Sequence, residues 1–180
     1  MDDYVNIFQN LKPSLVQVQR LITAVAYVMG VNYLIKGVMA LKHAGEQRSH
    51  MSQQHSMKEP VLYLMVGAML LYLPSAISVF LTSLFGSDDI LQYNQLKSSN
   101  PLINTMLGSA GVFGEDMILF VQIIGLIAFV RGWMLIAKGA TQGGHQQGGM
   151  GKGLMHLVGG ILAINIVQTL NVINNTLFGA

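Results

Sequence analysis

Two stretches of this chain, Pro60 to Ser87 and Gly153 to Ala180, each run for 28 residues without an Asp, Glu, Lys or Arg. About 20 predominantly apolar residues cross the hydrocarbon core of a bilayer. Each run is therefore long enough to span, and we place the cores at Val61 to Leu81 and Leu154 to Ile173. Two shorter runs lie between charges: Leu21 to Ile35, between Arg20 and Lys36, and Met117 to Val130, between Asp116 and Arg131. At the helical rise these reach only about 21 to 23 Å. Their spans must take in a basic residue, as Leu21 to Leu41 and Met117 to Ala137, with Lys36 and Arg131 snorkelling toward one surface.

The rest of the composition agrees. In 180 residues, 52% are apolar and 10% charged, against about 25% charged in a soluble domain. So small a chain has too little interior for that much apolar side chain. The mean hydropathy of +0.49 argues against an intrinsically disordered chain. The absence of cysteine excludes disulfide scaffolds, Cys-ligated metal centres and thiol chemistry. A net charge of +2 gives no electrostatic footing for direct nucleic-acid binding. The acidic opening Met1-Asp2-Asp3 is unlike the basic start of a signal peptide, so the first segment is expected to be retained. Pro13 suits a helix start, with residues 2 to 12 as an interfacial piece.

Seven of the ten basic residues, Lys36, Lys42, Arg48, Lys58, Arg131, Lys138 and Lys152, fall toward the connections between spans one and two and between spans three and four. The positive-inside rule then places both hairpin tips in the cytoplasm, with the termini and the middle loop facing outward. The expected organisation is residues 1–84 as an interfacial segment and first transmembrane hairpin, 85–116 as an extracytoplasmic loop, and 117–180 as the second hairpin. The fold class is all-α, with four transmembrane helices as two parallel-repeat helical hairpins. His43 to Glu59, where Ser56 and Glu59 have capping-box spacing, and the glycine-rich Thr141 to Gly153 are expected as loops. So is Gly86 to Asp116, with a turn at Ser98-Ser99-Asn100-Pro101.

The halves repeat. A shift of 102 lays Ala26-Tyr27-Val28, Gly30 and Lys36-Gly37 on Ala128-Phe129-Val130, Gly132 and Lys138-Gly139. A shift of 92 lays Leu62, Val66, Gly67 and Leu70 on Leu154, Val158, Gly159 and Leu162. Ala26 with Gly30, Ala128 with Gly132, and Gly159 with Ala163 are small residues four apart. In lipid such faces let helix backbones approach, which makes these six the expected packing residues. Pro74 should kink the second span, with Ser75 placed to bond part of the freed backbone.

No catalytic, metal or cofactor site emerges. Gly151-Lys152 lacks the remaining elements of a phosphate-binding loop. The five histidines have no i, i+4 His partner, and the adjacent pairs Asp88-Asp89 and Glu115-Asp116 do not aim two carboxyls at one atom. Arg131 stands apart, because under the 102 shift its counterpart is Met29. Two readings stay open for it: bidentate capture of a lipid phosphate or partner carboxylate, and simple snorkelling. Lys36, Lys138 and Lys152 join it as candidate lipid- or partner-binding residues.

Several peptides carry a family resemblance. Phe129-Val130-Arg131-Gly132-Trp133, Gly151-Lys152-Gly153-Leu154-Met155-His156 and Gly159-Gly160-Ile161-Leu162-Ala163-Ile164-Asn165 resemble the IcmC/DotE family of the Dot/Icm type IVB secretion system. Val16-Gln17-Val18-Gln19-Arg20-Leu21-Ile22 and Lys58-Glu59-Pro60 do too, and the likeness extends loosely to TraQ-like conjugal transfer proteins. The resemblance implies a small polytopic inner-membrane component that helps move proteins or DNA out of a bacterium. Its partners would be other secretion-system membrane subunits and phospholipid, in a homo- or hetero-oligomer. The family supplies no catalytic residues. A second class of function is an oligomeric small-solute channel or transporter, with Arg131, Lys138 and Lys36 favouring anions.

Overall fold

The structure, a computed structural model, describes residues 2–49, 57–86, 111–141 and 149–178. These are almost entirely helical: α1 (Asp2–Ser49), α2 (Lys58–Leu71), α3 (Leu73–Phe85), α4 (Gly111–Thr141), α5 (Gly149–Ile164) and α6 (Ile166–Phe178). Two segments, Pro13–Glu46 in α1 and Ile118–Gly139 in α4, are each long and apolar enough to cross a membrane, and the count rises to four if α2–α3 and α5–α6 each make one span.

The first helix is longer than its sequence suggested. Pro13 lies inside it rather than at its start, so the backbone of residues 2–12 continues straight into the span. The other end runs past His43 to Ser49, through residues expected as loop. Exposed contacts of Glu46 with Lys42 (3.8 Å) and His43 (3.6 Å) support that last stretch, though pairs of this kind contribute only a few tenths of a kcal/mol. Likewise Gly111 to Asp116 and Gly149 to Gly153 are helical. Ser56 and the Ser98–Pro101 turn lie outside the described residues.

Neither 28-residue run forms one straight helix. α2 and α3 meet at 91°, and so do α5 and α6. The first break has the cause the sequence announced. Pro74 has no N–H to give the Leu70 carbonyl, and Tyr72 leaves helical geometry at φ −100°, ψ 33°. Ser75 makes no side-chain hydrogen bond among the described residues. The second break falls at Asn165, where the Thr169 hydroxyl donates to the carbonyls of both Leu162 and Asn165 at 2.9 Å. It reaches seven residues back and supplies a donor that the bend removes from the backbone ladder.

Glycine closes the antiparallel pairs α1–α2 and α4–α5. A Cβ added to Gly30 would stand 2.9 Å from the Leu71 nitrogen and 3.0 Å from the Gly67 oxygen; one added to Gly125 would stand 2.8 Å from both the Ile164 nitrogen and the Gly160 oxygen. Seven residues on, a Cβ added to Gly37 would stand 2.8 Å from the Leu64 side chain, and one added to Gly132 would stand 2.8 Å from that of Leu157. Equivalent positions are thus 95 apart on the long helices and 93 apart on the short ones, and the breaks at Tyr72 and Asn165 keep the same 93. The contacts replace the shifts of 102 and 92 read from sequence. Above these seams, fully buried Leu70, Leu73, Phe129 and Ile161 join the pairs in one apolar cluster. The outer face of α1 exposes Leu21, Val28 and Val38, as expected of a face turned to lipid.

Candidate functional site

The features with functional content follow from the two breaks and the faces they leave. Where the breaks approach each other, a cavity of about 120 Å³ is lined by Gln19 and Thr23 of α1, Gln122 and Leu126 of α4, Leu73, Pro74 and Ile77 of α3, and Ile164 of α5. The Thr23 hydroxyl donates to the Gln19 carbonyl at 3.0 Å, and the amides of Gln19 and Gln122 are the other side-chain polar groups of the lining. Asn165, next to Ile164, is 4% exposed, and its Nδ2 has no hydrogen-bond partner among the described residues. A buried amide without an acceptor costs about 1 to 3 kcal/mol. Such a group marks a place built for something other than apolar packing. The volume is ample for several waters, each of which needs two to four polar partners.

A larger groove, of about 670 Å³, lies between the second limbs of the two pairs. Leu62 and Met65 of α2 face Leu154, Leu157, Val158 and Ile161 of α5 across it; Trp133 and Ile136 of α4 form its floor, and Phe80, Ser83 and Leu84 of α3 bound it. Its one hydroxyl, on Ser83, is already donated to the Val79 carbonyl at 2.7 Å. Phe80, Phe129 and Trp133 hold each other edge-on or tilted at centroid distances of 5.8 to 6.5 Å, a geometry that fixes the floor.

The four basic residues singled out by sequence are all exposed, and none lines either cavity. Lys36 lies over the Tyr33 ring at 5.6 Å, and that ring stacks on Tyr63 at 6.0 Å. Lys138 sits in the last turn of α4. Lys152 offers its carbonyl to His156 Nδ1 at 2.8 Å. Arg131 forms no hydrogen bond or ion pair among the described residues. In the register set by the glycine contacts its counterpart is Lys36, not Met29, because each immediately precedes a seam glycine, Gly132 or Gly37. Both halves therefore carry a cation at this level, and Arg131 is no longer exceptional.

Of the six expected packing residues, Ala26 is fully buried, and Gly30 and Gly132 lie on the seams. Ala163 faces Gly125, where an added Cβ would stand 2.9 Å from the Ala163 Cβ, while Ala128 is half-buried. Gly159 is the exception: it faces outward with nothing within 4 Å of an added Cβ, and Gly160 takes the contact instead. Sequence reasoning also passed over Gly37, Gly67, Gly125 and Gly153, although Gly125, Gly132 and Gly139 recur every seven residues, the spacing of a continuous helix seam.

Protein-family models, curated proteins and solved structures offer no match to this chain.

Proposed function

We propose that this chain is a non-enzymatic structural or conduit subunit of a bacterial type IVB secretion apparatus of the Dot/Icm kind, set in the inner membrane with four spans. Each bent pair, α2–α3 and α5–α6, counts as one broken crossing, and the two hairpins enter and return on the same side. The observation that carries the reading is where the IcmC/DotE-like peptides fall. Three of the five fall on α4 and α5, the last of them ending at the Asn165 break, and each contributes one seam glycine: Gly132, Gly153 and Gly160. Three of the peptides that suggest the family thus help to close the second hairpin. Affinity purification in mild detergent followed by mass spectrometry tests it, and recovery with secretion-system membrane proteins is the expected result. Repeated recovery of the chain without any such protein would count against the assignment.

One observation favours a second reading, an oligomeric small-solute channel or transporter. Paired breaks at equivalent places in two repeats, with polar side chains between them, are how many transporters build a site, and the cavity at Gln19 and Gln122 has that placement. Solute flux through vesicles containing the purified protein alone would support it, while tight vesicles would leave the secretion reading in possession.

A further inference from the structure

We propose that this chain packs head to tail with further copies of itself, the second helical pair of one copy covering an apolar stripe on α1 of the next. The contact inside the chain is the template. Both α1 and α2 of the first pair lie on α4 of the second, whereas α5 makes no comparable contact with α1. A two-fold axis relating the pairs would require both contacts. The first pair therefore uses one face and the second pair a different one, and each is left with the face that the other has covered.

The burial of equivalent residues locates both faces. Val31, Ile35 and Val38 recur on one side of α1 and are 48 to 59% exposed. Their counterparts 95 positions on, Leu126, Val130 and Trp133 of α4, are 2 to 5% exposed and belong to the cluster that joins the pairs. The covering face shows the reverse. Val66 of α2 is fully buried in that cluster, and its counterpart 93 positions on, Gly159, is exposed with nothing within 4 Å of an added Cβ. Phe80 of α3 packs on Trp133 at a centroid distance of 6.5 Å, while its counterpart Ile173 of α6 is 47% exposed. An open face of α5 and α6 thus corresponds to the surface that covers α4, and the stripe on α1 to the surface that is covered. Joining them between copies repeats a contact the chain already makes, and such a heterologous contact closes into a ring or runs on as a filament. Lipid is the competing occupant, since an apolar stripe packs well against acyl chains; the burial of the same stripe in the other repeat favours a second copy.

Head-to-tail packing is independent of any role in secretion. Between copies, the Phe80–Trp133 contact becomes Ile173 of one against Val38 of the next. Both side chains are exposed, so cysteine at either should leave the fold intact, and the chain has no cysteine of its own. In membranes holding the full chain, a membrane-permeant bis-maleimide should convert the double variant Val38→Cys, Ile173→Cys into a ladder of cross-linked dimers, trimers and larger species. Each single variant should stay monomeric, and the two single variants expressed together should stop at dimers. Absence of the ladder from the double variant overturns the proposal and leaves lipid on the stripe. So do dimers of Val38→Cys alone, which would set two stripes face to face across a two-fold axis.

Discussion

Gly132 and Gly153 face each other across the α4–α5 seam so closely that a Cβ on either would stand 2.9 Å from the other's carbonyl oxygen. The obstruction is backbone on both sides, which no rotamer change relieves. Gly132→Ala or Gly153→Ala should therefore destabilise the chain in detergent by about 1 to 3 kcal/mol, the usual cost of overpacking. Gly159→Ala, one residue from the buried Gly160 and with nothing in reach, should be neutral or gain up to about 1 kcal/mol from better helix propensity. Thermal unfolding of the three variants in one detergent reads the difference, and equal stability for Gly132→Ala and Gly159→Ala would contradict the seam.

The α5–α6 corner depends on Thr169. Thr169→Val keeps the side-chain shape and removes the donor to Leu162 and Asn165, which should cost about 1 kcal/mol. Thr176 supplies the control, because its hydroxyl bonds only the Val172 carbonyl, at 2.7 Å, in the ordinary pattern four residues back. Thr176→Val should leave unfolding unchanged. If the two valine variants behave alike, the bend is held by something other than the Thr169 hydroxyl.

Much of the fold is legible in the charge-free runs, and its register is not, for a reason visible in the glycines. Gly30 and Gly37 can be laid on Gly125 and Gly132 or on Gly132 and Gly139, because the stripe maps onto itself after seven residues. The doublet Gly159-Gly160 leaves Gly67 the same freedom by one. Only contacts choose between these, through the Leu71 and Ile164 nitrogens that sit against Gly30 and Gly125. Breaks differ likewise in what they announce. Pro74 declares one from sequence, whereas Asn165 declares the other only once Thr169 is seen reaching across it. The polar cavity was missed because Gln19 and Gln122 come from helices whose relative placement no local pattern carries.

Orientation can be read with cysteines, since the chain has none. Gly45 and Gly151 are exposed with nothing within 4 Å of an added Cβ, and Asn175 is exposed near the end of α6. By the positive-inside rule, the excess of Lys and Arg around the connections between α1 and α2 and between α4 and α5 predicts a cytoplasmic location for the first two sites. Gly45→Cys and Gly151→Cys should resist an impermeant maleimide until the cells are lysed, and Asn175→Cys should label in intact spheroplasts. The opposite pattern would invert the topology.

The pairing of Arg131 with Lys36 makes the last prediction sharper than sequence allowed. If both cations mark the level at which the two hairpins reach headgroups, what position 131 needs is a long side chain with a charge at its tip. From Arg131 to Gly139 is about 12 Å along the helix, a distance that Arg or Lys shortens by several ångströms when it snorkels. Arg131→Lys copies the other half and should keep both the membrane level of the protein and secretion. Arg131→Met should also insert at the parent level, because no acid among the described residues is left unpaired by it, and should secrete poorly. Bidentate capture of a phosphate or carboxylate requires the planar guanidinium, so in that case Lys would fail about as badly as Met. Protein level and secretion measured together separate the outcomes: normal secretion with Lys and loss with Met supports the snorkelling cation, loss with both restores the bidentate reading, and normal secretion with both removes any role for the charge.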